Sequence, residues 1–538
     1  MNKEDRNGLF AHTEMIRETH YNDRELFSFS GRPKSLTAML DHSISLYADR
    51  ECLVDNNTRL TYRQFQKQVD ALAYNLKEHW GIENGQRVAL ILNNTLEFCI
   101  SFFALVQIGA ITVPLNTRLK SDELKFMLQD SGAKMLIMEA EYWEEINPIR
   151  CELQSLEAIF MVGEGDMPAE VKLFSELYVD RARERVMAPS HEDETVVIMY
   201  TSGTTGVPKG AQGTHLGMIH SAINYKILFS SGPQDRTVLV VPLFHVTGLI
   251  GQLIHMVYVG GATVLMKKYK TENMLELMDR EEITFSFVVP TIYVLMLLNE
   301  NLDKYDLSRL RLAAYGGAPM SLETIKELSG LFPSLDLRNA YGATETSSPA
   351  TIMPPGATML KSSSVGIPVP GAEVKVVEGE GQELEANQVG ELWIKGPMVV
   401  PGYWNNDNAN KSEFTDGYWH SGDLARIDDD GFVYIMDRKK DVINRGGEKI
   451  FCVEVEDVLC GHAKILEAAV VGVSDEVFGE EVKAVVVPKP GSAVLEEEIR
   501  DWVGEKLARY KVPKYVRIID ELPRNPGGKV LKAKIVDL

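Results

Sequence analysis

Long apolar runs are missing from this chain of 538 residues. No stretch approaches the roughly twenty residues that a membrane span needs, and the opening Met1-Asn-Lys-Glu-Asp-Arg-Asn-Gly8 leads into no apolar signal core. Cysteine is scarce: Cys52, Cys99, Cys151, Cys452 and Cys460 show no paired short spacing, which argues against zinc and against a disulfide framework. A reduced compartment fits this usage, the last residues Val536-Asp-Leu538 carry no peroxisomal tripeptide, and cytoplasmic residence is the expectation. Positive charge is in deficit. Fifty-six basic against 77 acidic residues leave a formal net charge of −21, so nucleic acid is not an expected partner and anionic substrates must be met by local cationic sites. Internal repeats and low-complexity tracts are absent too.

What is present is an ordinary soluble composition, 45% hydrophobic, in a chain long enough for a large core and several domains. The first thirty or so residues are polar and charged and read as an arm rather than core. From Ser35 onward, short β-rich runs alternate with helical patterns: Val88 to Leu92, Val238 to Pro242, Phe285 to Val289 and Leu310 to Tyr315, then an amphipathic stretch from Leu322 to Leu331. Such alternation predicts α/β layers around buried sheets, with ligands in loops beyond the strand ends. After about Glu373 the runs Glu373 to Val377 and Glu391 to Lys395 predict a small β subdomain. The charged segment Asp437-Arg-Lys-Lys-Asp441 marks a boundary, beyond which helices around Val453 to Leu459 and Leu495 to Leu507 and strands Glu467 to Val473, Val482 to Val487 and Tyr515 to Ile519 predict a compact α+β unit.

The most informative stretch is Tyr200-Thr-Ser-Gly-Thr-Thr-Gly-Val-Pro-Lys-Gly210, which leaves the strand-like run Thr195 to Tyr200. Gly203, Gly206 and Gly210 let backbone N–H groups converge on phosphate oxygens. The hydroxyls of Thr201, Ser202, Thr204 and Thr205 add donors, and Lys209 supplies a point charge. The loop suits a polyphosphate. It is not the common P-loop, because Lys209 follows Pro208 and precedes Gly210 rather than the Ser or Thr that would meet magnesium.

A second signal is Asn339-Ala-Tyr-Gly-Ala-Thr-Glu-Thr346. Glu345 offers the hard oxygen that Mg2+ prefers, Thr344 a phosphate donor and Tyr341 a flat face for a purine, although an isolated Thr-Glu pair equally reads as a helix N-cap. Other stretches are ordinary by themselves. Gly316-Gly-Ala-Pro319 is a helix-start turn, His420-Ser-Gly-Asp423 an everyday turn, and His245 in Pro242-Leu-Phe-His-Val-Thr-Gly248 a candidate core histidine. Lys529 follows two glycines in Pro523-Arg-Asn-Pro-Gly-Gly-Lys-Val530, on a loop expected to be mobile.

In this order the motifs resemble those of the adenylate-forming superfamily, which comprises acyl-CoA synthetases, peptide-synthetase adenylation domains and beetle luciferases. The resemblance runs from about Ser35 to the end. It implies an arm over 1–34, a large AMP-binding domain of α/β layers with a small β subdomain over 35–439, and a small mobile α+β C-terminal domain over 440–538. The nucleotide site it implies takes Thr201 to Gly206, Lys209, Gly316, Gly317, Ala318, Tyr341, Gly342 and Thr344, with Glu345 as Mg2+ ligand. Asp423 would bond the ribose hydroxyls and Arg438 the ribose and phosphate side. His245 would gate the path between carboxylate and pantetheine, and Val246, Gly248, Gly316, Gly342 and Ala343 would line the acyl pocket. Lys529 would bridge the carboxylate and the α-phosphate, where neutralising two anions is what their reaction needs. Lys440 aligns with the hinge, and Arg445, Gly446 and Gly447 with the turn that lines the CoA channel. Lys449 and Cys452 stand where Asn and Pro are common in that region.

The activity implied is ATP- and Mg2+-dependent formation of an acyl-adenylate from a carboxylic acid, followed by transfer to CoA. Gly342 stands where acetate-specific relatives carry tryptophan, so the expectation is an open pocket for a medium- or long-chain fatty acid, with aromatic or dicarboxylic acids as the alternative. A free-standing enzyme that loads a carrier-protein thiol is the nearest rival, a luciferase-type oxygenase a more distant one. An idle nucleotide-binding protein would be expected to lack Lys529, Glu345 or the phosphate loop. A homodimer remains open.

Overall fold

The computed structural model describes residues 13–21, 23–56, 58–163, 170–177, 184–201, 207–379, 381–524 and 530–538. Two large sheets organise the first three quarters of the chain. In the seven-stranded sheet the order runs Lys209–Thr214, Thr195–Thr201, Ile111–Pro114, Arg87–Ile91, Met135–Glu139, Ala158–Val162, Lys172–Leu173, parallel except for the first pair. The nine-stranded sheet has a parallel centre, Asp336–Tyr341, Leu312–Tyr315, Phe285–Val288, Arg236–Leu239, Ala262–Leu265 and Glu51–Asp55. Parallel strands buried on both faces need apolar residues throughout, as in the fully buried Phe285-Ser-Phe-Val288.

The main core lies between these sheets. Val88, Leu90, Ile137 and Val197 of one face Leu53, Leu239 and Leu265 of the other across the helices Leu96–Gln107 and His215–Phe229. Both helices are buried nearly all round, since a sheet covers each side, and His215–Phe229 buries the polar His215, His220, Ser221 and Asn224 along with its apolar residues. Thr95 and Thr214 start them by accepting the N–H of Phe98 and Gly217. Outer helices cover the far faces with their own apolar clusters. The β subdomain, Glu373–Glu378, Gly390–Lys395, Tyr418–Ile427 and Val433–Arg438, joins the nine-stranded sheet through Phe287, Ile352, Val376 and Ile394. The C-terminal unit has its own five-stranded sheet, in which Ile465–Asp475 and Gly479–Pro488 form the long hairpin, and its own core. The α/β layers, the small β subdomain and the separate α+β unit are therefore all present.

The segment read as an arm differs. Met15–His20 and Arg24–Phe29 pair as an antiparallel hairpin whose Leu26 and Phe29 are buried. Arg24 donates to the carbonyls of Val400 (3.1 Å) and Pro401 (2.7 Å), and the buried Arg32 is paired with Glu18 and Glu192. At least from Met15 this stretch is an integral part of the fold. Among the described residues no helix is long and apolar enough to cross a membrane.

Candidate active site

Thr201 and Lys209 are paired across the antiparallel strands Thr195–Thr201 and Lys209–Thr214, so the loop between them leaves and returns at one point of the sheet edge. Ser202, Gly203, Thr204, Thr205 and Gly206 lie outside the described residues, as does Lys529. Lys209 is buried, and its Nζ donates to both carboxylate oxygens of Glu413 at 2.5 and 2.6 Å while lying 4.6 Å from the centre of the Tyr403 ring.

Glu345 sits in the short turn Thr344–Thr346 beyond the strand Asp336–Tyr341. It is buried, and burial pushes its carboxyl above the ordinary range, against the pull of the Tyr403 hydroxyl and Lys209. The Tyr403 hydroxyl is 3.0 Å from Glu345 Oε1 and 2.9 Å from Glu413 Oε2, and accepts from Trp419 Nε1 at 3.2 Å. Thr201 Oγ1 reaches Glu345 Oε1 at 3.4 Å. A buried carboxylate of raised basicity beside hydroxyl oxygens suits a hard divalent cation. Among the described residues no group of three or more acidic, histidine or cysteine side chains forms a metal cage.

A second cluster adjoins it along the same strand. Tyr341 donates its hydroxyl to Asp423 Oδ2 at 2.5 Å, and Arg438 Nε pairs with Asp423 Oδ1 at 2.7 Å. Asp423 and Arg438 face each other across neighbouring strands, so this pair is set by register. The Tyr341 hydroxyl is held protonated, its acidity suppressed by burial and by the Asp423 carboxylate. Tyr341 thus contributes its hydroxyl to Asp423.

The glycines expected to line an acyl pocket are required by close backbone approaches. A Cβ on Gly342 would lie 1.4 Å from the Ser348 carbonyl oxygen, one on Gly316 2.4 Å from that of Ala340, and one on Gly248 2.4 Å from that of Pro242. Gly342 is exposed, and the direction in which an L side chain would grow is taken by the Ser348 carbonyl. Gly317 adopts φ +79°, and with Ala318 it is exposed. Val246 and Ala343 are half-buried. His245 is half-buried, its Nε2 is buried without a hydrogen-bond partner, and desolvation with the nearby Arg118 lowers its pKa to about 4. Its ring is neutral at physiological pH.

In the C-terminal quarter, Lys440 is exposed in the turn between Val433–Arg438 and Ile443–Arg445. Asp437 Oδ2 accepts the backbone N–H of Cys452 from beyond that turn, and the Cys452 thiol donates to the Asp441 carbonyl at 3.0 Å. Arg445 pairs with Glu481 through two nitrogens, at 2.8 and 2.7 Å, and lies over the Phe478 ring. Gly446 and Gly447, at φ +59° and +98°, make the adjoining turn.

Tyr403, Glu413 and Trp419 carry no signal in the sequence. Lys209 and Glu413 are 204 residues apart, and a Pro-Gly-Tyr or a helix-ending Glu is unremarkable locally.

The family model for AMP-binding enzymes matches residues 40–404, and that for the AMP-binding enzyme C-terminal domain matches 454–529. The chain belongs to the AMP-binding enzymes. This AMP-binding enzyme is 33% identical over 497 residues to the 2-succinylbenzoate–CoA ligase of Bacillus licheniformis, covering 92% of this chain and 98% of the relative. It is 31% identical over 535 residues to the long-chain-fatty-acid–CoA ligase of Yersinia pestis, covering 94% of each. Among solved structures, the anthranilate CoA ligase AuaEII in complex with anthranoyl-AMP superposes with a TM-score of 0.88 at 28% identity, over 94% of this chain and 96% of that one. The AMP-binding enzyme described here is accordingly an AMP-forming acid–thiol ligase that uses ATP, Mg2+ and CoA.

Proposed function

We propose that the acid is one with an apolar body, a medium- or long-chain fatty acid in the first place, and that the two clusters around Glu345 and Asp423 form the site of its adenylation. The observation that carries the site is the meeting of Thr201 and Lys209, paired in one hairpin, with Glu345 from a turn 144 residues beyond Thr201, next to the Tyr341–Asp423–Arg438 pairings. In this reading Lys209, Thr344 and the loop from Thr201 to Gly206 hold the triphosphate. Glu345 holds Mg2+, which supplies charge neutralisation there. Tyr341, Gly316, Gly317 and Ala318 border the adenine, and Asp423 with Arg438 holds the ribose. Lys529 draws the carboxylate and the α-phosphate together. One carboxylate oxygen attacks the α-phosphorus, the bond to the β-phosphate oxygen breaks, and pyrophosphate leaves. After a turn of the C-terminal unit about Lys440, the CoA sulfur attacks the acyl carbonyl along a channel lined by Arg445, Gly446 and Gly447, and AMP leaves.

A neutral His245 beside Phe244 and Val246 supports an acyl path that favours apolar atoms over a second charge. An aromatic acid is the second reading, supported by the relatives named for succinylbenzoate and anthranilate. Pyrophosphate exchange across acetate, hexanoate, octanoate, palmitate and benzoate tests both. Each added buried methylene contributes about 0.8 kcal/mol, so kcat/KM should climb severalfold per carbon until the pocket is full. A preference for acetate over octanoate and benzoate would overturn the proposal.

A further inference from the structure

Lys209, the cation proposed to meet phosphate, is paired with a carboxylate that has no part in that role. Lys209 has three ammonium protons, and two are spent on Glu413. A buried ammonium needs a counter-ion whenever phosphate is absent, because leaving it unpaired costs far more than the pair does. Glu413 fills that need from an awkward position. It ends the helix Asp407–Glu413, where the carbonyl ends disfavour a negative charge, so its place is owed to Lys209 and to the Tyr403 hydroxyl. The two partners also differ in freedom: the Lys209 side chain is 9% exposed and the Glu413 side chain 28%. Glu413 can turn to water and Lys209 cannot.

We propose that Glu413 is an exchangeable counter-ion for Lys209: it holds the ammonium in the empty site, yields it to the phosphates of ATP, and takes it back as pyrophosphate leaves. The proposal rests on Lys209 being a phosphate ligand. Tyr403 couples the exchange to the metal carboxylate, since its single hydroxyl proton lies within reach of both Glu345 and Glu413 and is free for Glu345 once Glu413 withdraws. Glu413 therefore weakens ATP binding and eases product release, as a competing anion in the same place must.

The test is Glu413→Gln in the full chain. Calorimetric titration with Mg-ATP, with neither acid nor CoA present, should show binding about tenfold tighter, the scale of removing one competing charge from the phosphate's cation. Pyrophosphate should become a stronger inhibitor of the overall reaction by a similar factor, and adenosine, which has no phosphate, should bind as before. A role that merely holds Lys209 in place would weaken ATP binding instead, and weaker or unchanged ATP binding beside unchanged adenosine binding would overturn the proposal. Should Glu413→Gln fail to bind adenosine for want of folding, Glu413→Asp carries the same comparison: its shorter reach should tighten ATP severalfold, and no change would overturn the exchange. Absence of Mg-ATP binding by the unsubstituted chain would overturn both this inference and the nucleotide-site reading, whereas identical binding by the two forms would overturn this inference alone.

Discussion

At the scale of single residues, a glycine can be required for two opposite reasons, to leave a space empty or to let something else fill it. Gly342 is of the second kind. The Ser348 carbonyl occupies the direction in which any side chain would grow, and Ser347 and Ser348 themselves sit at φ 47° and 93°, so the turn has little freedom to retreat. Gly342→Ala should therefore lower stability by about 1–3 kcal/mol and depress adenylation of short and long acids alike, because the same turn carries Glu345. Thermal unfolding, together with pyrophosphate exchange on acetate and octanoate, checks this. Rising acetate activity at the expense of octanoate would show that the position does gate the pocket after all. Legible in the sequence was a residue carried by a local motif, Glu345 at its turn, whereas Asp423 and Arg438 stood out only through the resemblance and their pairing across strands was not foreseen. Tyr403 and Glu413 were not, since their meaning lies in meeting Lys209 across the fold.

At the scale of elements, strands with continuous or alternating apolar character were legible, Glu373–Glu378, Gly390–Lys395 and Tyr515–Ile518 among them, and the charged N-terminal hairpin was not. The run Phe285 to Val289 became the strand Phe285–Val288, and the helix expected around Val453 to Leu459 became Cys452–Cys460. The hairpin Met15–Phe29 escaped because a two-stranded ribbon buries only part of one face, leaving Arg17, Glu18, Arg24 and Glu25 to dominate its composition. Around the turn 439–442 two contacts reach across: Asp437 to the Cys452 N–H, and the Cys452 thiol to the Asp441 carbonyl. Lys440 is exposed between these residues, and the proposed reorientation of the C-terminal unit about it would have to break the Asp437–Cys452 hydrogen bond. Lys440→Pro fixes φ near −65° and should leave acyl-adenylate formation within about threefold while thioester formation falls at least about tenfold. Single-turnover assays of the two half-reactions separate these. Unchanged CoA-ester production would remove Lys440 as the pivot.

At the scale of the whole molecule, buried neutral histidines tie the layers together and set the response to acid. His215 Nδ1 accepts the N–H of Leu36 at 3.2 Å, and His220 Nε2 accepts that of Phe29 at 3.1 Å, joining the central helix His215–Phe229 to the N-terminal segment. His255 lies between Ser231 Oγ at 2.6 Å and the Gly251 carbonyl at 3.1 Å. Burial lowers the pKa of His215 and of His255 to about 4, and that of His220 well below its ordinary value. A depressed folded-state pKa means that the unfolded chain takes up protons first as pH falls. The stability these groups contribute is whole above about pH 6.5 and is lost progressively toward pH 4, at up to about 1.4 kcal/mol per pH unit for each histidine. Glu345 works in the opposite sense, since its raised pKa favours the folded state as acid protonates it, as do Asp55, Asp70, Asp437 and Asp457; of these only Asp457 is raised as far as about 7, against these three depressed rings and that of His245. Urea unfolding at pH 7.5, 6.0 and 5.0 should therefore show a steep decline. His220→Gln keeps an acceptor for Phe29 without a titrating ring, so it should flatten the decline by about one proton's worth of slope, even if the substitution lowers stability at pH 7.5. Equal stability of the unsubstituted chain at pH 7.5 and 5.0 would mean that these rings are not held neutral by the fold.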